Sequence, residues 1–456
     1  MTRSIVSLDA PPGWDGPIAH GQDEEKTYDK QPVSQDVFGD EEDAEIKYKV
    51  LSWWQAGFLM VAETVSIGIL SLPSVVAALG LVPAIILLVG IGLMSTYTGY
   101  TIGQFRLAYP HVQSMADAGE VLAGSFGREF LGMGQLLLIV FIMASHLLTF
   151  TVAMNTITEH GTCSIVFGVV GLVISYVLCL PRTSAKVSYL SIVSFLSVFT
   201  SVMIVMIALG VQHPWKGKLQ AVVDTDLYHA FLGVCNIVFS FSGHVAFFSF
   251  ISELKDPKEF PKSLSLLQGT DTILYIVSAV VIYCYAGPGV TSPALGSASP
   301  IIGKIAYGIA LPTIIIGGVV NGHVASKYIY VRIFRNSDRM HKKDLVAVGS
   351  WVGITFATWV IAWVIASAIP VFNDLLSLIA SLFASWFTYG FSGMFWLYLN
   401  KGRFFATPRK IFLTVVNVAM IAIAFCICGL GLYVSGKALH EDSNSDSFSC
   451  ANNARF

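Results

Sequence analysis

Beyond residue 50 the chain is a succession of apolar stretches separated by short polar ones. Each stretch runs for roughly 20 residues, the length a helix needs to cross a bilayer. The pattern predicts eleven spanning segments, at about 53–78, 82–105, 131–157, 164–181, 187–211, 229–252, 266–287, 301–331, 346–369, 375–399 and 411–434. The fold class that follows is an all-α polytopic membrane protein.

Two of these segments are interrupted in a similar way. The first carries Val65-Ser66-Ile67-Gly68-Ile69-Leu70-Ser71-Leu72-Pro73. The sixth carries the stretch from Phe239 to Phe250, with Ser240, Ser242 and Gly243 clustered mid-span. Glycine and serine lower the cost of leaving helical geometry, although both are also common where ordinary membrane helices touch. The two segments stand five positions apart, an odd number, so they cross the membrane in opposite senses. The pairing predicts a 5+5 inverted repeat with helices one and six broken and the eleventh helix appended. Broken helices at matching positions mark the binding site of a secondary transporter.

Charge sets the expected orientation. With the N-terminus cytoplasmic, nineteen Lys and Arg fall on the inner side of the eleven spans and five on the outer side, the asymmetry that membrane insertion favours. The N-terminus is therefore expected inside and the C-terminus outside. Composition agrees with the class: 54% of the 456 residues are hydrophobic, mean hydropathy is +0.68, and the charged fraction of 12% is about half that of a soluble chain. Residues 1–50 differ, with acidic clusters at Asp23-Glu24-Glu25 and Asp40-Glu41-Glu42-Asp43, and read as a disordered cytoplasmic tail. Residues 51–435 form the membrane domain, and 436–456 a polar, mobile extracytoplasmic tail. The seven cysteines have no metal-type spacing. Cys163 and Cys450 both fall on the outer side, and a disulfide between them is left open.

A fracture in a membrane helix frees backbone N–H and C=O groups that must find partners. The N–H groups from Ile67 to Leu70, at the positive end of the second half-helix, suit a carboxylate. Carbonyls from Phe241 to Gly243 suit an ammonium. Together they fit the two charges of an α-amino acid.

At these residues the chain resembles a known family. Gly68-Ile69-Leu70-Ser71-Leu72-Pro73, then Phe239-Ser240-Phe241-Ser242-Gly243-His244, then Glu253-Leu254-Lys255-Asp256-Pro257-Lys258-Glu259-Phe260-Pro261-Lys262, and more weakly Lys327 to Phe334, resemble the amino acid/auxin permease family. That family lies within the amino acid–polyamine–cation superfamily, and the chain is similar to its fungal neutral amino acid permeases of the N-system type. The resemblance covers about residues 50 to 435. It implies a LeuT-like 5+5 fold and uptake of neutral aliphatic and aromatic amino acids with protons or sodium. Sodium-coupled relatives carry an asparagine where Ala62 aligns, which turns the expectation towards protons.

Glu63 lies about 15 Å along the first helix, near the midplane, where an ionisable group is a functional candidate. It can load and release a proton, or serve as a paired structural acid. His146, His244 and His323 also lie within spans, where a histidine relays protons, binds substrate, or simply satisfies a backbone carbonyl. The candidate substrate site is Ser66, Ile67, Gly68, Ile69, Leu70, Ser240, Phe241, Ser242, Gly243, His244, Thr149 and Asn321, with Glu63 and His146 for proton coupling. Phe241 or Phe247 is the candidate gate, and Glu253 to Glu259 a candidate hinge network. His146 and His160 lack a second pair across the bundle, so haem is not expected, nor is any other cofactor or metal.

Competing classes fit less well. Channels line pores with repeated polar rings, and no such pattern appears. No nucleophile elbow, HExxH or P-loop is present, so no enzyme is expected, and nothing points to nucleic acid. The expected partners are small neutral amino acids and the lipid bilayer, with the oligomeric state open and a monomer sufficient. The plasma membrane is the expected location, with the vacuolar membrane as the alternative.

Overall fold

The computed structural model describes residues 49, 51–181, 187–334, 345–441 and 447–454. Apart from Lys49, the acidic tail lies outside the described residues. So do Lys47, Arg182, Lys186, Arg335, Arg339, Lys342, Lys343 and Arg455, which entered the orientation argument.

The first segment is broken as expected. Helix α1 (Trp53–Thr64) stops at Thr64, one 3₁₀ turn follows over Gly68–Leu70, and α2 (Leu72–Leu79) resumes at 47° to α1. Pro73 sits in the first turn of α2, where its missing N–H is no loss. Helices α3 (Leu81–Ala108), α4 (Met115–Thr158), α5 (Ser164–Cys179) and α6 (Val187–Gln212) complete the first half.

The sixth segment is α7 (Leu227–Ser240) and α8 (Phe247–Glu253), separated by Phe241, Ser242 and a 3₁₀ turn over Gly243–Ala246. Phe241 and Ser242 leave helical angles, at φ/ψ of −99°/12° and −93°/33°. The Ser242 hydroxyl donates to Phe239 O at 2.6 Å, and this local competition for backbone partners helps end the helix. The chain continues with α9 (Phe260–Ala286), α10 (Pro300–Phe334), α11 (Leu345–Ala368), α12 (Phe372–Ile379), two π-helical turns, α13 (Phe391–Leu399) and α14 (Pro408–Glu441).

Among the described residues nine helices are long and apolar enough to cross a membrane, or ten with α1 and α2 taken as one bent span. The expected count of eleven is reached only by adding α5. At 16 residues it is about 24 Å long, short of a full hydrocarbon thickness by itself.

Two stretches differ from the hydropathy pattern. Helix α4 begins sixteen positions before the expected span, capped by Ser114 with Asp117, and turns at Gly124, whose φ is +61°. Its leading turns carry Asp117, Glu120, Arg128 and Glu129, so hydropathy alone conceals them. The tail after α14 is docked rather than mobile over residues 447–454. Cys450 is disulfide-bonded to Cys163, Asn155 donates to Asn453, and the Phe448 N–H donates to Ser367 O. The Phe448 ring also meets Trp363.

Candidate functional site

The two breaks touch. A Cβ added at Gly68 would lie 3.0 Å from the Ser240 Cα and 2.9 Å from its Oγ. A Cβ added at Gly243 would lie 2.8 Å from Thr64 Oγ1. Each break thus sets its glycine against the last residue of the other's first half-helix, the reciprocity that an inverted repeat requires. Tyr275 on α9 joins both. Its phenol donates to Ser240 O at 2.9 Å and lies 3.3 Å from Thr64 O, so the carbonyls freed at the two fractures share one donor.

Around the first break Val65 N–H bonds to Val61 O, Leu70 N–H to Ile67 O and Ser71 N–H to Gly68 O. Between them, the N–H groups of Ser66, Ile67, Gly68 and Ile69 have no backbone acceptor among the described residues. The buried Ser66 hydroxyl also has no partner there. Leu70, expected to be free, is already bonded.

A cleft with about 840 Å³ of open space, mouth included, lies against this floor. Of the expected site residues it brings together Glu63, Ser66, Ile67, Gly68, His146, Ser242, Gly243 and Asn321. Ile69, Leu70, Ser240, Phe241, His244 and Thr149 are buried outside it. Thr149 donates to Ser145 O at 2.7 Å. The His244 ring turns to α3, 3.0 Å from Thr98 Oγ1 and 2.9 Å from Ser95 O. His323 is outside the cleft as well and meets Pro181 O.

His146 is anchored through Nδ1 to Ile314 O at 2.9 Å, which leaves Nε2 for the cleft. Gly317 admits that ring, because a Cβ there would collide with it while standing 3.1 Å from Ser66 Oγ. The Asn321 amide folds back on Gly317 O at 2.9 Å. Glu63 makes no hydrogen bond or ion pair among the described residues. Apolar surface comes from Ile142, Phe239, Val245, Phe247, Phe250, Ile316 and Val320. Ser191 and Ser194 on α6 also line the cleft, and nothing in their spacing distinguishes them from other span serines.

Glu63, Thr64, Val245, Phe250 and Asn321 are half-buried while Ser66, Ile67 and Gly68 are buried. The cleft therefore opens towards the side where α1 begins. On the far side the segment 215–223 covers the end of α2, with Val223 N–H on Leu79 O at 3.0 Å and Val82 N–H on Ala221 O at 2.9 Å. At the cleft's own side, Leu51 N–H donates to Glu253 O and Lys255 N–H to Leu51 O, tying the start of α1 to the end of α8. Of the expected hinge network, Glu259 pairs with Lys262, which lies beyond it, and that pair is exposed and contributes little alone.

A helical membrane chain with two adjoining broken helices and a cleft at their junction has the LeuT-like fold, an architecture of membrane transporters. Among solved structures, a Na+-coupled sialic acid symporter in a substrate-bound outward-open state is similar to it, with a TM-score of 0.50 and 10% identity over 84% of this chain and 90% of that one. At that identity the likeness is one of fold. The chain belongs to the family described as transmembrane amino acid transporter protein, whose profile matches residues 49–436. It is 36% identical over 437 residues to the N amino acid transport system protein of Neurospora crassa, covering 93% of this chain and 92% of that one. A protein of Gibberella moniliformis named transmembrane transporter is 28% identical over 451 residues, covering 96% and 94%.

Proposed function

We propose that this chain carries small neutral amino acids, aliphatic and aromatic, across the membrane together with protons, by alternating access. The observation that carries the reading is the floor of the cleft, where the backbone N–H groups of Ser66, Ile67 and Gly68 and the Ser66 hydroxyl stand without partners among the described residues. Donors left bare at membrane depth call for an acceptor, and a substrate carboxylate supplies one. The apolar wall of Phe239, Phe247 and Phe250 suits an uncharged side chain. The Neurospora relative's name, N amino acid transport system protein, agrees with amino acid as the substrate class.

Glu63 and His146 border the same cleft, so a proton and a substrate bind within reach of each other, which is the arrangement symport needs. The excess of Lys and Arg on one side supports a cytoplasmic N-terminus. The Cys163–Cys450 bridge supports an opposite face in an oxidising compartment, as at a plasma membrane. In that orientation the cleft faces inwards.

The test is reconstitution of the full chain into liposomes with an imposed pH gradient, offering labelled neutral amino acids with and without sodium. Concentrative uptake driven by the gradient without sodium is expected. Uptake that ignores the gradient and requires sodium, or no amino acid uptake at all, overturns the reading.

A further inference from the structure

Helix α9 packs against α1, α2, α3 and α6 and presents Tyr275 to both breaks. One turn earlier, on the same face, stands Asp271. It is fully buried, lies outside the cleft, and neither carboxyl oxygen has a hydrogen-bond partner among the described residues. Buried polar groups nearly always have partners, and an exception points to a role or an unseen ligand. An ionised carboxylate without a partner is especially unfavourable among packed membrane helices. The protonated form avoids that cost, and among the described residues no acceptor holds its O–H.

The titratable groups on the elements packed against α9 are Glu63 on α1, Tyr97, Tyr100 and Arg106 on α3, and Lys258 and Glu259 in the turn before α9. Helix α2 and the described side chains of α6 contribute none. None of these groups bonds Asp271, and Tyr275 is the titratable neighbour on its own face. One turn along that face, the Tyr275 phenol bridges the carbonyls of Thr64 and Ser240, where Gly68 packs on Ser240.

We propose that Asp271 is a second proton-binding group of the transport cycle, protonated while the breaks are clasped and released to water when they part. The inference rests on the proton-coupled reading above. In the releasing step the carboxyl O–H breaks and its proton passes to an incoming water. The carboxylate is reprotonated from the other side before the clasp reforms. With the cleft acid Glu63, the cycle then moves two protons per amino acid.

The test is the coupling ratio of the full-length protein in liposomes held at zero membrane potential. One measures the opposing substrate ratio that just stops uptake. A one-unit pH gradient supports a ratio of about 100-fold with two protons and about 10-fold with one, since each proton contributes its tenfold. The parent is expected at about 100-fold and Asp271→Asn at about 10-fold. A parent at about 10-fold, or a variant still at about 100-fold, overturns the inference while leaving proton coupling intact. A parent that ignores the pH gradient overturns both. If Asp271→Asn is not recovered folded, Asp271→Glu decides: a displaced pH midpoint for accumulation supports the role, and a profile identical to the parent's refutes it.

Discussion

The reciprocal contact of the two breaks makes a sharp prediction. An alanine at Gly243 would set its Cβ 2.8 Å from Thr64 Oγ1, about 0.6 Å inside the 3.4 Å at which ordinary contact begins. An alanine at Gly68 meets Ser240 Oγ at 2.9 Å and, behind it, the Ser240 Cα at 3.0 Å and Cβ at 3.2 Å. Overpacking of this kind costs about 1–3 kcal/mol, or about 5- to 150-fold in the population of the clasped state. Both variants are therefore expected to melt lower and to take up labelled amino acid more slowly in proteoliposomes. Their rescue should differ. Thr64→Ala removes the one atom that opposes Gly243→Ala, leaving the Phe247 ring at an ordinary 3.6 Å, so the double variant recovers. Ser240→Ala removes the Oγ but not the backbone carbon facing Gly68, so Gly68→Ala stays impaired. A double-mutant cycle reads the difference as coupling energy. Full recovery of Gly68→Ala by Ser240→Ala, or no recovery of Gly243→Ala by Thr64→Ala, would refute this contact geometry.

Tyr275→Phe strips the shared donor from Ser240 O and Thr64 O, at about 1–3 kcal/mol for buried acceptors left bare; it should lower the melting temperature and raise proton leak without substrate, and an unchanged leak would count against the clasp. Glu63→Gln should lose accumulation driven by a pH gradient while retaining exchange of labelled for unlabelled substrate, and full accumulation with the parent's pH dependence would remove Glu63 from coupling. Cys163→Ser frees the docked tail from a bridge spanning 287 positions; such bridges typically contribute about 2–4 kcal/mol, so reductant should lower the parent's melting temperature and leave the variant's unchanged. Asp226 caps α7, and the backbone N–H of His229, then its ring, hold the Asp226 carboxyl below the usual carboxylate range. Its contribution is present above the unfolded value of about 3.9 and lost as pH falls through the lower folded value. Below about pH 4 the parent should therefore lose stability relative to Asp226→Asn, and parallel melting curves would contradict the cap.

What hydropathy made legible is the part of the molecule that the bilayer dictates. Span positions, the two fractures and Glu63 all follow from residue type at a given depth, because lipid admits few solutions for backbone and charge. The floor was legible too, though displaced by one residue: local 3₁₀ bonds consume Leu70 N–H and release Ser66 instead. His244 and Thr149 carry the right chemistry and point elsewhere, since each finds an acceptor on its own helix or on α3. Helix periodicity constrains a face but not the rotamer that chooses between a cleft and a carbonyl. Asp271 escaped for a related reason. Its depth in the seventh span marks it by the same rule that marks Glu63, yet what sets it apart is the absence of a hydrogen-bond partner among the described residues, a property of the neighbours and not of the residue. Tyr275 reads as one more aromatic in an apolar span until its phenol is seen between two carbonyls from segments thirty-five and two hundred and eleven positions away. The fractures could be inferred from serine and glycine because unwinding is local. What holds them together is long-range: a phenol from α9, a helix whose own sequence shows no break.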